Sequence, residues 1–169
     1  MGTPVIPYSE FVGNEDPFPI IRSTPGHIAK LSERLTPEQL ETPPRPGKWS
    51  LHQIVAHLAD CELMFQVRVR MILFEDEPRL APFDQDRWAN GWVREKETWQ
   101  QTLDRFRTIR ESTVRLLENI PDQDLRRIGV HAERGPQTPS DYIVLIAGHD
   151  VNHLHQIEAI HREYRDSGS

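Results

Sequence analysis

The chain has 169 residues, enough for one ordinary domain that buries roughly two thirds of its unfolded surface without disulfide or metal staples. It carries 20 Lys and Arg against 26 Asp and Glu, a net charge of −6 with no basic block, which argues against nucleic acid or an anionic membrane as partner. One cysteine excludes an internal disulfide framework and an all-cysteine zinc site, and no apolar run approaches the roughly 20 residues of a membrane span. The segment MGTPVIPYSEFVGNEDPFP lacks the charged and apolar regions of a signal peptide, so a cytoplasmic location is expected.

Residues 1–20 scatter Pro and Gly among aromatics and predict an extended arm, followed by a single domain over 21–165. Thr24-Pro25 reads as a cap with Pro at the first helical position. Ile28, Leu31 and Leu35 follow at helical spacing and predict a helix over 24–35. Thr36-Pro37-Glu38-Gln39 opens a short capped turn, ended by Pro43, Pro44, Pro46 and Gly47. Ser50 with Gln53 forms a capping box. Leu51, Ile54, Leu58, Cys61, Phe65, Arg68 and Ile72 then predict a helix over 50–75. A loop with one helical turn at 84–89 leads to a third long helix over 91–119, with Trp92, Trp99, Leu103, Phe106, Ile109, Val114 and Leu117 as its stripe. After a loop containing Gly129, Gly135 and Pro136, Thr138-Pro139-Ser140-Asp141 starts a helix to about 163. No strand is predicted, and the pattern argues an all-α bundle whose topology it leaves open.

Polar residues break the apolar seams. His149 and His153 stand four apart on the last helix, so their imidazoles share a face about 6 Å apart. With eight histidines in the chain, one such pair also arises by chance; its place midway along a seam favours a role. His57 lies on the seam side of the second helix, and a bundle builds metal sites from facing helices, so three histidines with open positions form a candidate site. Cys61 is either a fourth ligand or a small buried hydrophobe, with the core reading preferred. Asp60, Asp150 and Gln156 sit where they can orient the imidazoles, or are solvated helix residues. His27, His52, His131, His155 and His161 read as surface or boundary residues. The arginines of VRVRM and the pair Arg126-Arg127 read as solvated faces. The four tryptophans read as packing anchors, with Trp88 and Trp92 flanking a loop that can line a pocket. No G-x-S-x-G, phosphate-binding glycine loop or H-E-x-x-H occurs.

The segments RPGKWSLHQIVAHLADCE, LFEDEPRLAPFDQDRWA and QTPSDYIVLIAGHDVNHLHQIEAI resemble the DinB superfamily, in particular its YfiT-like branch, which includes bacillithiol transferases. The resemblance spans residues from about 20 to 163 and rests on Trp49-Ser50 before His57-Leu58-Ala59-Asp60, then His149, His153 and Gln156 in order. It implies a four-helix bundle with a long crossover, a divalent metal (Zn or Ni) on His57, His149 and His153, and a homodimer. It also implies transfer of a low-molecular-weight thiol onto an electrophilic small molecule. Where relatives often have a further histidine beside the central one of the late motif, this chain has Leu154. A metal-dependent hydrolase and a metal-binding protein without turnover are the alternatives.

Overall fold

The protein is described from a computed structural model, which covers residues 6–167. Residues 1–5 of the predicted arm lie outside the described residues. The remainder of that arm is shorter than expected. One tight helical turn forms at Ser9–Phe11, and helix α1 (Pro17–Ser32) begins at Pro17, because the Asp16 side chain accepts the Phe18 N–H at 3.0 Å. The cap predicted at Thr24-Pro25 is therefore helix interior. Thr24 turns its hydroxyl back onto the Ile20 carbonyl, and Pro25 lacks the N–H that would bond the Ile21 carbonyl. That carbonyl instead accepts from Arg110 Nη1 at 2.8 Å.

The other caps form as their spacing predicts. Thr36 with Gln39 opens α2 (Pro37–Glu41), and Ser50 with Gln53 opens α3 (Leu51–Phe74). After β1 (Arg79–Leu80), Asp84 caps α4 (Gln85–Ala89). The predicted third helix is broken: α5 (Trp92–Lys96) stops, and a Thr98–Gln101 capping box restarts the chain as α6 (Trp99–Glu118). A capping box satisfies the free N–H groups of a new first turn, so it competes with continuation. Strands β2 (Gly129–His131) and β3 (Gly135–Gln137) precede α7 (Pro139–Ser167), which Thr138 and Asp141 cap reciprocally. The expectation of no strand is thus corrected. β1 pairs parallel to β2, and β2 antiparallel to β3. Strands of two or three residues are too short to show alternation in the sequence.

Four long helices form the bundle. α3 packs on α6 and α7, and α1 packs on those same two, so α1 and α3 stand at opposite corners. His52 meets Thr102 and Gln66 meets Thr113, which sets α3 parallel to α6. Phe65 lies beside Tyr142 and His57 beside His149, which sets α3 antiparallel to α7. Parallel neighbours need a connection that returns along the bundle, here residues 75–98 with β1, α4 and α5.

The apolar core forms two clusters. One, toward the sheet, joins Ile21, Phe65, Ile72, Tyr142 and Ile146. The other, toward the start of α3, joins Ile28, Ile54, Leu58, Phe106 and Ile157. Between them lies a buried ionic group. Arg110 places Nε and Nη2 on the two oxygens of Glu62 at 2.9 Å each, Nη2 and Nη1 on the two oxygens of Asp150, and Nη1 on the Ile21 carbonyl. All five guanidinium N–H groups are used, on three helices besides its own.

Four surface readings are overturned. His52 is buried, with Nδ1 2.6 Å from Glu41 and Nε2 2.8 Å from Thr102. His131 is buried within β2, and Arg68 of the VRVRM run is buried on α3. Arg127 donates to the Ile72 and Glu75 carbonyls at the end of α3. Trp88 and Trp92 are exposed; Trp88 leans on Phe83.

Replacing Arg110 with Met strands two buried carboxylates and a backbone carbonyl. Urea unfolding at pH 7 should show a loss of about 3–5 kcal/mol. A loss under about 1 kcal/mol, the range of an exposed ion pair, would show that the group does not hold the helices together.

Candidate metal centre

Helical spacing places His149 and His153 one turn apart on α7, and antiparallel packing brings His57 of α3 against them. All three are buried. His57 Nε2 lies 3.1 Å from His149 Nε2, and His153 Nε2 lies 3.1 Å from the same atom. The ring centroids of His57 and His153 are 4.9 Å apart. Gln156 Oε1 lies 3.2 Å from His153 Nδ1 and can accept only from a protonated nitrogen, so the lone pair of neutral His153 is on Nε2, toward its neighbours. Two nitrogens each about 2.0–2.1 Å from one cation, at angles near 90–110°, stand about 3 Å apart. The observed spacing fits shared coordination of a cation.

Cys61 lies one turn beyond His57, with Sγ 3.5 Å from His57 Nε2, and the trio His57, Cys61 and His149 also places three donor atoms within 4.8 Å of one another. Two donor sets therefore share His57 and His149. A thiol coordinates as thiolate. Burial pushes the Cys61 thiol far up, and the nearby Asp60 and Glu62 carboxylates add to that. His153 offers a neutral lone pair at no such cost, and Cys61 is itself buried in the apolar core.

Of the residues expected to support the imidazoles, Gln156 alone is hydrogen-bonded to one. Asp60 is held by Arg105 at 2.8 Å, and Asp150 by Arg110. Asp150 follows His149 in the chain but faces the ionic group, whose partners on α6 and α3 the sequence does not reveal.

A cavity of about 490 Å³ opens onto the cluster, lined by His57, His153, Gln156, Asn152, Trp49 and Tyr8 among others. Trp49, read from sequence as a packing anchor, stands with its ring 5.0 Å from that of His57. Tyr8, assigned to the arm, has its ring 5.6 Å from that of His149. Its backbone is left-handed, at φ 63°, and its carbonyl packs on Gly148, where a Cβ would lie 2.2 Å from the oxygen. Gly148 is the residue that lets the arm settle against α7 beside His149. Arg45 and Glu163 pair at the cavity wall, at 3.0 Å.

Burial lowers His57 to about 3 and His153 to about 4, and His149 is lowered well below the ordinary histidine range by burial and its two neighbours. Unfolded histidine takes up a proton near pH 6.5. Below that pH the unfolded chain binds more protons than the folded one, so folded stability is full above about pH 6.5 and falls as pH drops toward 4. Chelator-treated protein, unfolded by denaturant at a series of pH values, should lose stability with a slope approaching about 1.4 kcal/mol per pH unit for each histidine. His153→Gln should make that fall shallower; an unchanged slope would place His153 outside the buried neutral group.

A family model described as the DinB superfamily matches residues 21–157. A protein of Bacillus cereus (strain 03BB102), named "Putative metal-dependent hydrolase", is 27% identical over 142 residues, 84% of this chain and 82% of that protein. A Bacillus anthracis (strain A0248) protein of the same name is 26% identical over the same shares. Among solved structures, YfiT from Bacillus subtilis, described as "a probable metal-dependent hydrolase with an unusual four-helix bundle topology", superposes with a TM-score of 0.80. It is 24% identical, over 86% of this chain and 84% of that chain, and the likeness concerns the fold. With the family model matching most of the chain, and the bundle matching in its architecture, the protein belongs to the DinB superfamily.

Proposed function

We propose that the protein is a divalent-metal-dependent enzyme that activates a small-molecule thiol for transfer to an electrophile, with His57, His149 and His153 holding Zn or Ni. The observation that carries this reading is three convergent imidazoles, kept neutral by burial, at the end of an open cavity, where the neighbouring carboxylates Asp60, Glu62, Asp150 and Glu163 are each held by an arginine. A bound divalent cation would supply Lewis acidity, lowering the pKa of a coordinated thiol so that it is nucleophilic near pH 7.

The chain's own residues supply position. Gln156 fixes the tautomer of His153. Trp49 and Tyr8 flank the cavity with aromatic surface, and Asn152 offers a polar contact for the bound molecule. Asp60 and Glu62, candidate bases for the activation of water, are engaged by Arg105 and Arg110, and Glu163 is paired with Arg45. Amide hydrolysis needs a proton donor for the departing amine, whereas a thiolate displacing halide needs none. This supports thiol transfer over hydrolysis. The names of the Bacillus relatives favour the second reading, hydrolysis of an activated ester or amide at the same site.

Protein purified without chelator should contain about one Zn or Ni per chain by elemental analysis. His153→Ala should lose it and His155→Ala, on an exposed position, should keep it. Equal metal content in the two variants would overturn the ligand assignment.

Metal-loaded protein should accelerate conjugation of small thiols to an aryl halide, tested over several thiols. Chelation or His57→Ala should abolish the acceleration, and Cys61→Ser should leave it within about twofold. Loss of activity in Cys61→Ser with metal retained would make Cys61 the nucleophile. Metal-dependent ester hydrolysis with no thiol conjugation would replace transfer by the second reading.

A further inference from the structure

At the sheet end of the bundle, away from the cavity, a second polar group stands inside the protein. Arg68 of α3 is only 3% exposed, yet among the described residues no carboxylate pairs with it. Its Nη2 donates to the Ala81 carbonyl at 2.5 Å, its guanidinium carbon stands 5.7 Å from the centre of the Phe83 ring, and its Nε–H has no partner. The Tyr142 side chain hydrogen-bonds it, and Tyr142, Cys61 and a second guanidinium, Arg134, act on it electrostatically.

His131 faces the same region. β1 and β2 pair so that His131 lies opposite Leu80, the residue before Ala81. It is 1% exposed. Its Nδ1 accepts the Glu133 N–H at 3.2 Å, so the proton of the neutral ring is on Nε2, and that N–H also has no partner. Arg68 and Arg134 are both near enough to disfavour a charge on it. Arg134, half-buried, donates to Gln137 Oε1 at 3.2 Å and to the Tyr142 hydroxyl at 3.3 Å.

Two orphaned donors and the buried guanidinium of Arg68 thus stand inside the protein beside half-buried Arg134, and among the described residues no carboxylate pairs with either guanidinium. A buried cation without a counter-charge is strongly disfavoured, and two donors with no acceptor add to that cost. An acceptor carrying negative charge between them would answer the donors and the charge together, whereas water would leave the charge uncompensated. We propose that Arg68, His131, Arg134 and Tyr142 form a binding site for a small anion of halide or carboxylate size. The two orphaned atoms are sealed from solvent, which limits the ligand's size, and half-buried Arg134 marks the side from which it enters.

The test is thermal unfolding of the full chain at constant pH and ionic strength, titrated with sodium bromide or sodium acetate against sodium gluconate, whose anion is too large to enter. Bromide or acetate should raise Tm saturably, by about 5 °C or more at a hundredfold excess over Kd, and gluconate should not. Arg68→Met should lose the response, and Arg134→Gln should weaken the apparent Kd about tenfold. If Arg68→Met does not fold, Arg134→Gln and the nitrogen chemical shift of His131 Nε2 in the wild-type protein, followed through the bromide titration, carry the test. Three results would overturn the proposal: an equal response to gluconate, an undiminished response in Arg68→Met, or no change in either Tm or the His131 shift with any small anion.

Discussion

The bundle turns on the guanidinium of Arg110. A buried cation is tolerated only with full compensation, and Arg110 obtains it from Glu62 on α3, Asp150 on α7 and a carbonyl on α1. Five directional bonds leave little room to slide one helix along another. The α1 partner exists because Pro25 has no N–H and so frees the Ile21 carbonyl from the helical ladder. A proline that a local rule assigns to a helix start is, in the folded chain, what lets α1 accept the arginine. Hydrophobic clusters above and below supply most of the driving force, but apolar contacts are not directional and set register less sharply.

The imidazole cluster inherits its precision from that register. His149 immediately precedes Asp150, and His57 lies five residues before Glu62, so the ionic group that locks α3 against α7 also holds the Nε2 atoms of His57 and His153 each 3.1 Å from that of His149. The polar layer between the two apolar clusters is therefore one unit with two faces. Toward α6 it is ionic, closed and fully bonded; toward the cavity it is neutral and brings three imidazole nitrogens together. Burial keeps the imidazoles neutral, the state in which they can donate to a metal.

Much of this was legible in the sequence. The capping boxes at Ser50 and Thr36, the reciprocal cap at Thr138, the long apolar seams and the four-residue spacing of His149 and His153 are local features, and local sterics and hydrogen bonding determine them without reference to the rest of the chain. The resemblance of the two histidine segments to the DinB superfamily correctly joined them into a four-helix bundle. Some of what was missed does carry a local signal, the Asp16-Pro17 cap of α1 and the Thr98–Gln101 capping box of α6, and the rest has none. Thr24-Pro25 carries the same residues whether it starts a helix or lies inside one; the Asp16-Pro17 cap upstream starts α1 first, and Arg110 takes up the carbonyl that Pro25 leaves free. His52 and His131 look like surface residues in a window of sequence, because the groups that bury them come from other elements, whereas Arg68 stands on the apolar stripe of its helix and its residue type alone argued for the surface.

The sequence by itself determined where α2, α3 and α7 start, which faces of the long helices are apolar, and that two histidines of the last helix project together. These follow from interactions within a turn or two of chain. The tertiary structure alone decided that α3 and α6 run parallel, that Tyr8 and Trp49 reach the histidine cluster, and that Arg110, Glu62 and Asp150 meet. Such outcomes depend on contacts between residues tens of positions apart, whose energy comes from excluding water around charges and rings. That exclusion exists only once all four helices have closed over the same interior.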